Sequence, residues 1–194
     1  MRLAFFDIDT QLDFVSPSGA LYAPGAERVI DAVARLNRHA AASGIALIST
    51  TDAHAEDDVE FTQWPPHCVS GCLGQRKALT TLLEKSVTLP NREELPQTGG
   101  AAQIILEKQT VDVWESRSVT PLVERLQVEG VVVYGVVTEV CVWHAARGWL
   151  HRGRPVTVVT DAVQALREEA GTRALQELRA AGAMLRTCGE VIAG

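Results

Sequence analysis

The sequence lacks the features that mark several large classes of proteins. It has no run of lysine or arginine and carries a net charge of -6, so a nucleic-acid-binding surface is not expected. No apolar run approaches the roughly 20 residues that a membrane-spanning helix needs, so no membrane partner is expected. The first six residues lead into an aspartate-rich turn rather than a long apolar region. This pattern argues against a signal peptide and favours a cytoplasmic protein.

Cysteine is also scarce. Four cysteines, at positions 68, 72, 141 and 188, do not have the spacing of a disulfide framework. In a chain of 194 residues they are better interpreted as free thiols, metal ligands or a nucleophile. The chain does contain 46% hydrophobic and 22% charged residues, the balance of a globular protein. We therefore expect a single domain over residues 1–194.

Short apolar runs alternate with helical patterns along the chain. The runs that predict strands are residues 3–8, 45–50, 86–89, 104–106, 131–135, 156–160 and 183–185. Apolar residues at helical spacing lie between them, at residues 24–43, 75–85, 119–128, 141–149 and 168–181. Regular alternation of this kind predicts right-handed βαβ units. The expected fold is therefore α/β, with three α/β/α layers around a mostly parallel sheet.

Residues that can carry chemistry follow the ends of the predicted strands. They are Asp9 and Asp13 after the first strand, Asp52 and His54 after the second, Lys108 after the strand at 104–106, and Cys141 after the strand at 131–135. In an open parallel sheet, ligands bind outside the carboxyl ends of the strands. Four separate segments are therefore expected to converge on one site.

Cys141 is the candidate nucleophile. It is expected in the first turn of a helix, where free backbone N–H groups and the helix dipole favour a thiolate and can hold an oxyanion. A lone cysteine in an apolar setting is more often a buried structural thiol, and this alternative stays open. His144, one turn further on, is a rival base, although such pairs are common by chance.

Asp9 and Lys108 can activate this thiol. A buried aspartate can accept the thiol proton, and a nearby ammonium can hold the thiolate by charge. The alternative is that the two residues form a structural ion pair or face solvent.

Asp52, His54 and His67 form a candidate set of metal ligands. One carboxylate and two imidazoles suit zinc, iron or manganese, with open positions for water or substrate. Surface loops often contain these residue types without binding a metal. Cys68 and Cys72 beside His67 suggest a thiolate zinc site instead, but no second cysteine pair completes it.

These motifs together resemble the isochorismatase-like cysteine hydrolases, and within them the nicotinamidase-like branch. The matching segments, in order along nearly the whole chain, are Asp9-Thr-Gln-Leu-Asp13-Phe14, Asp52-Ala-His54, Trp64-Pro-Pro-His67, Lys108 and Gly135-Val-Val-Thr-Glu-Val-Cys141. The resemblance implies a parallel sheet of about six strands between helices. It also implies that Asp9, Lys108 and Cys141 form the catalytic triad and that Asp52, His54 and His67 bind the metal.

The resemblance further describes the substrate pocket. The Val136–Val137 bond falls where the family has a cis peptide beside the oxyanion hole, and Phe14 and Trp64 would be aromatic walls. The implied cofactor is one divalent metal ion, zinc first, with iron, manganese or magnesium as alternatives. The implied partner is a small-molecule amide. Apolar helix faces in addition favour a homo-oligomer.

One segment and one single position depart from the nicotinamidase pattern. The segment from Gln109 to Glu115 replaces the usual residues after the lysine, and Cys72 stands where Thr or Ser is more usual. The particular amide therefore stays open, and so does the role of that segment. Alternatives are hydrolysis of another small amide or a ureide-like substrate, isochorismatase activity, and a catalytically silent binding module. The isochorismate branch typically lacks the metal set, which argues against that alternative.

Overall fold

Apolar, β-branched residues build the centre of the sheet. Strand β1 (Leu3–Ile8) pairs in parallel with β5 (Gly130–Val136), and both are almost wholly buried. Strands that are covered on both faces need such continuous apolar runs. The remaining strands are β2 (Ala46–Asp52), β3 (Ser86–Leu89), β4 (Gln103–Lys108), β6 (Val156–Gln164) and β7 (Met184–Arg186). In the computed structural model, which describes residues 1–194, all pairings are parallel and the order is β3-β4-β2-β1-β5-β6-β7.

Helices cover both faces of the sheet. They are α1 (Leu12–Val15), α2 (Ile30–Ala42), α3 (Val119–Arg125), α4 (Trp143–His151), α5 (Glu168–Ala180) and α6 (Cys188–Ala193). Adjacent residues of β1 show the two layers, because side chains alternate across a strand. The Phe5 ring lies 6.0 Å from His39 of α2, whereas the Phe6 ring lies 6.2 Å from Trp149 of α4. None of these helices is long and apolar enough to cross a membrane.

The predicted α/β class and parallel sheet are confirmed, and the strand count is corrected. The resemblance implied about six strands, and the sheet has seven because the four-residue β3 pairs with β4 at one edge. Residues 75–85 do not form the predicted helix. They contain one short 3-10 turn, Leu79–Thr81, and begin at the end of another, Leu73–Gln75. Backbone contacts of this segment with distant residues, such as the bridge between Gln11 and Lys77, override its helical pattern.

Strand order places the chemical residues together. The neighbours β4, β2, β1 and β5 end at Lys108, Asp52, Ile8 and Val136, and Lys108 lies directly across the ladder from Asp52. Asp9 follows β1, and a turn from Thr138 to Val142 follows β5. The carboxyl ends of these four strands therefore bring together residues from four segments that are far apart in the sequence. The single-domain assignment, the homo-oligomer and the cellular location stay predictions from the sequence.

Candidate active site

Lys108 joins Asp9 and Cys141 in a buried cluster. Its Nζ lies 2.9 Å from Asp9 Oδ2 and 3.7 Å from Cys141 Sγ. Asp9 is 0% exposed, Lys108 1% and Cys141 7%, so this cluster is screened from bulk water. The structure thus brings together a carboxylate, an ammonium and a thiol that the sequence separates by 132 positions from first to last.

Asp9 is held in place by its backbone and by one hydroxyl. Its φ of 46° lies in the left-handed region, which aspartate tolerates better than most residues. Thr50 donates its hydroxyl to Asp9 Oδ1 at 2.6 Å, and the Asp9 N–H lies 3.2 Å from the same hydroxyl oxygen. Oδ2 accepts no hydrogen bond from the protein, although the ammonium lies close to it. Of the two carboxylate oxygens, Oδ1 thus faces Thr50 and Oδ2 faces Lys108.

The Lys108 side chain carries its charge into the interior. Burial disfavours an ammonium, but the carboxylates of Asp52 and Asp9 hold the pKa of Lys108 well above its ordinary value. Lys108 also donates hydrogen bonds to Asp52 Oδ1 and to the Thr110 carbonyl. The side chain is therefore a fixed cation beside the sulfur.

The buried surroundings of Cys141 act against ionisation of its thiol. It lies in a π-helical turn, Thr138–Val142, that precedes α4. Burial raises the pKa of the Cys141 thiol well above its ordinary value; the Lys108 ammonium opposes this shift, and the carboxylates of Asp9 and Asp52 add to it. This shift opposes the thiolate that a position near a helix N-terminus favours. Such a thiol needs a base to become a nucleophile.

Asp52, His54 and His67 form a buried cluster that can hold a metal ion. Their candidate ligand atoms lie within 4.8 Å of one another. Asp52 Oδ2 is 3.9 Å from His54 Nε2 and 3.8 Å from His67 Nε2. Burial raises the pKa of Asp52 to about 7, while the Lys108 ammonium lowers it. A cation at this point would favour the carboxylate.

The outer nitrogens of the two imidazoles are already engaged. His54 Nδ1 lies 3.0 Å from Asp58 Oδ2, and His67 Nδ1 lies 2.8 Å from the Pro65 carbonyl. Both partners are acceptors, so each Nδ1 is the donor nitrogen and each Nε2 is the nitrogen that can face a metal ion. His54 Nε2 is buried and has no protein partner. An unpaired, buried Nε2 beside a carboxylate fits the donor set of a divalent ion.

An apolar cleft opens onto Cys141. Its lining residues are Phe14, Leu21, Asp52, Glu60, Trp64, His67, Val111, Val137, Val140, Cys141 and Leu166. Phe14 and Trp64, the predicted aromatic walls, both line it. The Val136–Val137 peptide bond is cis, and the Val137 N–H donates to no protein acceptor. Because Val137 lines the cleft, this N–H is a candidate donor to a ligand oxygen there.

The rival site residues lie elsewhere. His144 is partly exposed, and its Nδ1 lies 3.5 Å from Asp112 Oδ2. It lines a neighbouring groove that shares Trp64 and Val111 with the cleft, and it does not line the cleft that holds Cys141. The metal-capable cluster contains no cysteine. Cys68 is buried and approaches the Gly74 carbonyl, whereas Cys72 is exposed.

The segment that departs from the nicotinamidase pattern forms part of the cleft. Val111 lines the cleft, and the Thr110 carbonyl accepts from Lys108. Gln109 donates to the Ala53 carbonyl at 3.1 Å and accepts from Asn91 at 2.6 Å. The segment therefore both shapes the pocket and braces the lysine.

Three supporting residues were not found from the sequence. The Thr50 hydroxyl donates a hydrogen bond to Asp9, and the Asp58 carboxylate hydrogen-bonds His54. The Gln11 side-chain amide accepts from the Asp52 N–H at 2.7 Å and donates to the Asp52 carbonyl at 2.8 Å. Gln11 lies within a motif that was recognised, and Asp58 follows His54 by four positions. Those placements were the available signals in the sequence, but only the tertiary structure shows which of these polar groups meet.

The isochorismatase domain matches residues 4–190 of the chain. This chain belongs to the isochorismatase family. Nicotinamidase of Escherichia coli strain K12 is 25% identical over 209 residues, covering 93% of this chain and 92% of that protein. Maleamate amidohydrolase of Pseudomonas putida strain KT2440 is 26% identical, covering 82% and 71%. The zinc complex of Pyrococcus horikoshii pyrazinamidase superposes with a TM-score of 0.81 at 26% identity, covering 96% and 99%.

These findings confirm the predicted family, its nicotinamidase-like branch and the hydrolase class. The isochorismatase family includes amide-bond hydrolases, and this chain is a hydrolase of that class. The similar pyrazinamidase was solved with zinc, and this chain has the Asp52, His54 and His67 cluster that could bind a metal.

Proposed function

We propose that this protein hydrolyses a small aromatic or heteroaromatic carboxamide, nicotinamide first, to the acid and ammonia. The observation that carries the proposal is the contact of one ammonium with both a carboxylate and a thiol: Lys108 lies 2.9 Å from Asp9 and 3.7 Å from Cys141. The cleft beside them has mostly apolar walls, including Phe14 and Trp64. A flat ring suits such a cleft, because aromatic walls favour aromatic ligands.

Acylation begins with the buried thiol. Asp9 Oδ2 takes the proton from Cys141, and the sulfur attacks the amide carbonyl carbon to form the C–S bond. The Val137 and Cys141 backbone N–H groups hold the resulting oxyanion. Asp9 then returns the proton to the leaving nitrogen, the C–N bond breaks, and ammonia departs. Lys108 stabilises the negative charge that passes between sulfur and carboxylate.

Deacylation uses the same carboxylate. Asp9 accepts a proton from a water molecule, whose oxygen attacks the thioester carbonyl and forms the new C–O bond. The C–S bond then breaks, and Asp9 returns the proton to the sulfur. Each cycle therefore consumes one water and restores both Asp9 and Cys141.

Asp52, His54 and His67 would hold a divalent ion, zinc first with iron, manganese or magnesium as alternatives. A bound ion would supply a Lewis-acid contact to a ring nitrogen of the substrate. The residues themselves fix the orientation of their donors, since Asp58 and the Pro65 carbonyl hold the two imidazoles. Specificity for a heteroaromatic ring would follow from this placement.

The test is ammonia release from nicotinamide by the wild type and by Cys141→Ala. We expect release by the wild type and none above background by the variant. Equal rates would contradict the role of Cys141. A second candidate is another small amide or a ureide-like substrate. It is favoured because the segment at 109–115, which departs from the nicotinamidase pattern, contributes Val111 to the wall of the cleft. A panel that adds maleamate and a carbamoylated amino acid separates the two candidates.

A further inference from the structure

Leu166 forms part of the cleft wall beside the nucleophile. It lies in the short connection between β6 and α5, residues 165–167, and lines the same cleft as Cys141 and Val137. It also packs against the smaller buried cluster that includes Phe14 and Val137. Its side chain therefore occupies space that a larger substrate would need.

A carboxylate of the nucleophile turn holds this connection. Glu139, two positions before Cys141, accepts the Arg167 N–H through Oε1 at 3.0 Å. Arg167 is next to Leu166, so one hydrogen bond ties the cleft wall to the turn that carries the sulfur.

The opposite side of the connection is fixed by a glycine. A Cβ at Gly171 would lie 2.5 Å from Ala165 Cβ, so only glycine lets the first turns of α5 approach so closely. The Gly171 N–H in addition donates to the Arg167 carbonyl at 2.9 Å. Residues 165–167 are thus held from α5 and from the nucleophile turn at once.

We propose that Leu166, positioned by Glu139, sets the width of the cleft at Cys141 and thereby limits the acyl group to a small planar one. Leu166 is the specificity-determining residue, and Glu139 is a positioning residue that acts through it. The substrate-size part of this inference rests on the proposed amide hydrolysis. The width of the cleft itself can be measured without catalysis.

The first experiment compares two thiol reagents with the same reactive group. Iodoacetamide is small, and 2-iodo-N-phenylacetamide carries an additional ring. Modification rates of Cys141 are read by peptide mass spectrometry, with exposed Cys72 as the internal reference. We expect Leu166→Ala to raise the ratio of the 2-iodo-N-phenylacetamide rate to the iodoacetamide rate at Cys141 by about tenfold, the lower end of the discrimination that one methylene group gives in an apolar pocket. An unchanged ratio would overturn the proposal.

A double-mutant cycle tests the role of Glu139. Glu139→Ala removes the acceptor and should raise the ratio, whereas Glu139→Gln keeps an acceptor oxygen and should stay near the wild type. Combined with Leu166→Ala, the effect of Glu139→Ala should largely disappear, because both act on the same wall. Combined with Leu21→Ala, at another residue that lines the cleft but is not held by Glu139, it should persist. Additive effects with Leu166→Ala would overturn the positioning role.

The same variants are then assayed for ammonia release from nicotinamide and from a bulkier fused-ring carboxamide. A rise in relative kcat/KM for the bulkier amide with Leu166→Ala supports the inference. If the wild type hydrolyses no amide but Leu166→Ala shifts the reagent ratio as expected, the proposed function is contradicted and the cleft-width assignment is supported. Wild-type activity with an unshifted reagent ratio would contradict only the inference.

Discussion

Asp52 meets Lys108 through one carboxylate oxygen and faces the two imidazoles through the other. Oδ1 accepts a hydrogen bond from Lys108 Nζ, and Oδ2 lies 3.9 and 3.8 Å from the Nε2 atoms of His54 and His67. The candidate triad and the candidate metal site therefore share one buried side chain. A change of charge in the candidate triad therefore alters the electrostatics of the candidate metal site through Asp52, and the reverse also holds.

Removal of the lysine charge should abolish amide hydrolysis and destabilise the fold. Lys108→Met leaves the carboxylates of Asp9 and Asp52 buried without their cation, which costs on the order of 3–5 kcal/mol in such pairs. Urea unfolding and ammonia release measure the two effects.

Lys77→Met is the matched control. Lys77 is also buried and lies 2.9 Å from buried Asp7, but it does not line the cleft. It should lose comparable stability while the folded fraction keeps its activity. Equal losses of specific activity in both variants would contradict a catalytic role for Lys108.

The hydroxyl of Thr50 should matter for turnover rather than for binding. Thr50→Val preserves the shape of the side chain but removes the donor to Asp9 Oδ1. We expect kcat to fall by roughly tenfold to a hundredfold with little change in KM, since the base is misplaced and the cleft is intact. Thr51→Val, the next residue of the same strand, is the control. Similar kinetics of the two variants would contradict the assignment.

Asp58 should control metal affinity. It holds His54 at Nδ1, and loss of such a partner typically weakens metal binding by about 10- to 100-fold. Asp58→Asn should therefore release zinc at lower concentrations of a competing chelator than the wild type. Asp57→Asn, on an exposed neighbouring residue, should bind as the wild type does. Unchanged zinc affinity in Asp58→Asn would place the ion elsewhere.

The reactivity of Cys141 should keep increasing at alkaline pH. Burial raises the pKa of this thiol, and a raised acid pKa means that the neutral form persists above the ordinary range of about 8.5. The rate of Cys141 alkylation by iodoacetamide should therefore still rise with pH where the rate for glutathione, an ordinary thiol, has become constant. Lys108→Met should shift the profile further upward, because the ammonium lowers the thiol pKa. A plateau near neutral pH would indicate a resting thiolate.

The sequence predicted the architecture because its signals are local. Apolar runs such as residues 131–135 formed buried strands, and the rule for parallel sheets placed Asp9, Asp52 and Lys108 at one edge. The pattern at residues 75–85 was equally helical, but pairing with Gln11 and other distant groups prevailed. A short helix, Cys188–Ala193, was missed although Thr187 and Glu190 form a capping box that the sequence displays.

The ionisation of the site was beyond sequence reasoning. The helix-terminus argument favoured a thiolate at Cys141, but the side chain is enclosed beside Asp9 and Asp52, and burial outweighs the Lys108 charge. Burial and the distance between charges come from tertiary packing. Partners such as Thr50 were hidden for the same reason, since a threonine in a strand is ordinarily a structural residue.

The central claim is that Asp9, Lys108 and Cys141 together cleave an amide through a thioester. The most direct measurement is intact-protein mass spectrometry of the enzyme quenched with acid during turnover of nicotinamide, followed by peptide mapping. We predict an added nicotinoyl mass on Cys141 in the wild type, absent from Cys141→Ala and strongly reduced in Asp9→Asn. Ammonia release that proceeds undiminished in Cys141→Ala, with no acyl adduct in any variant, would contradict the account.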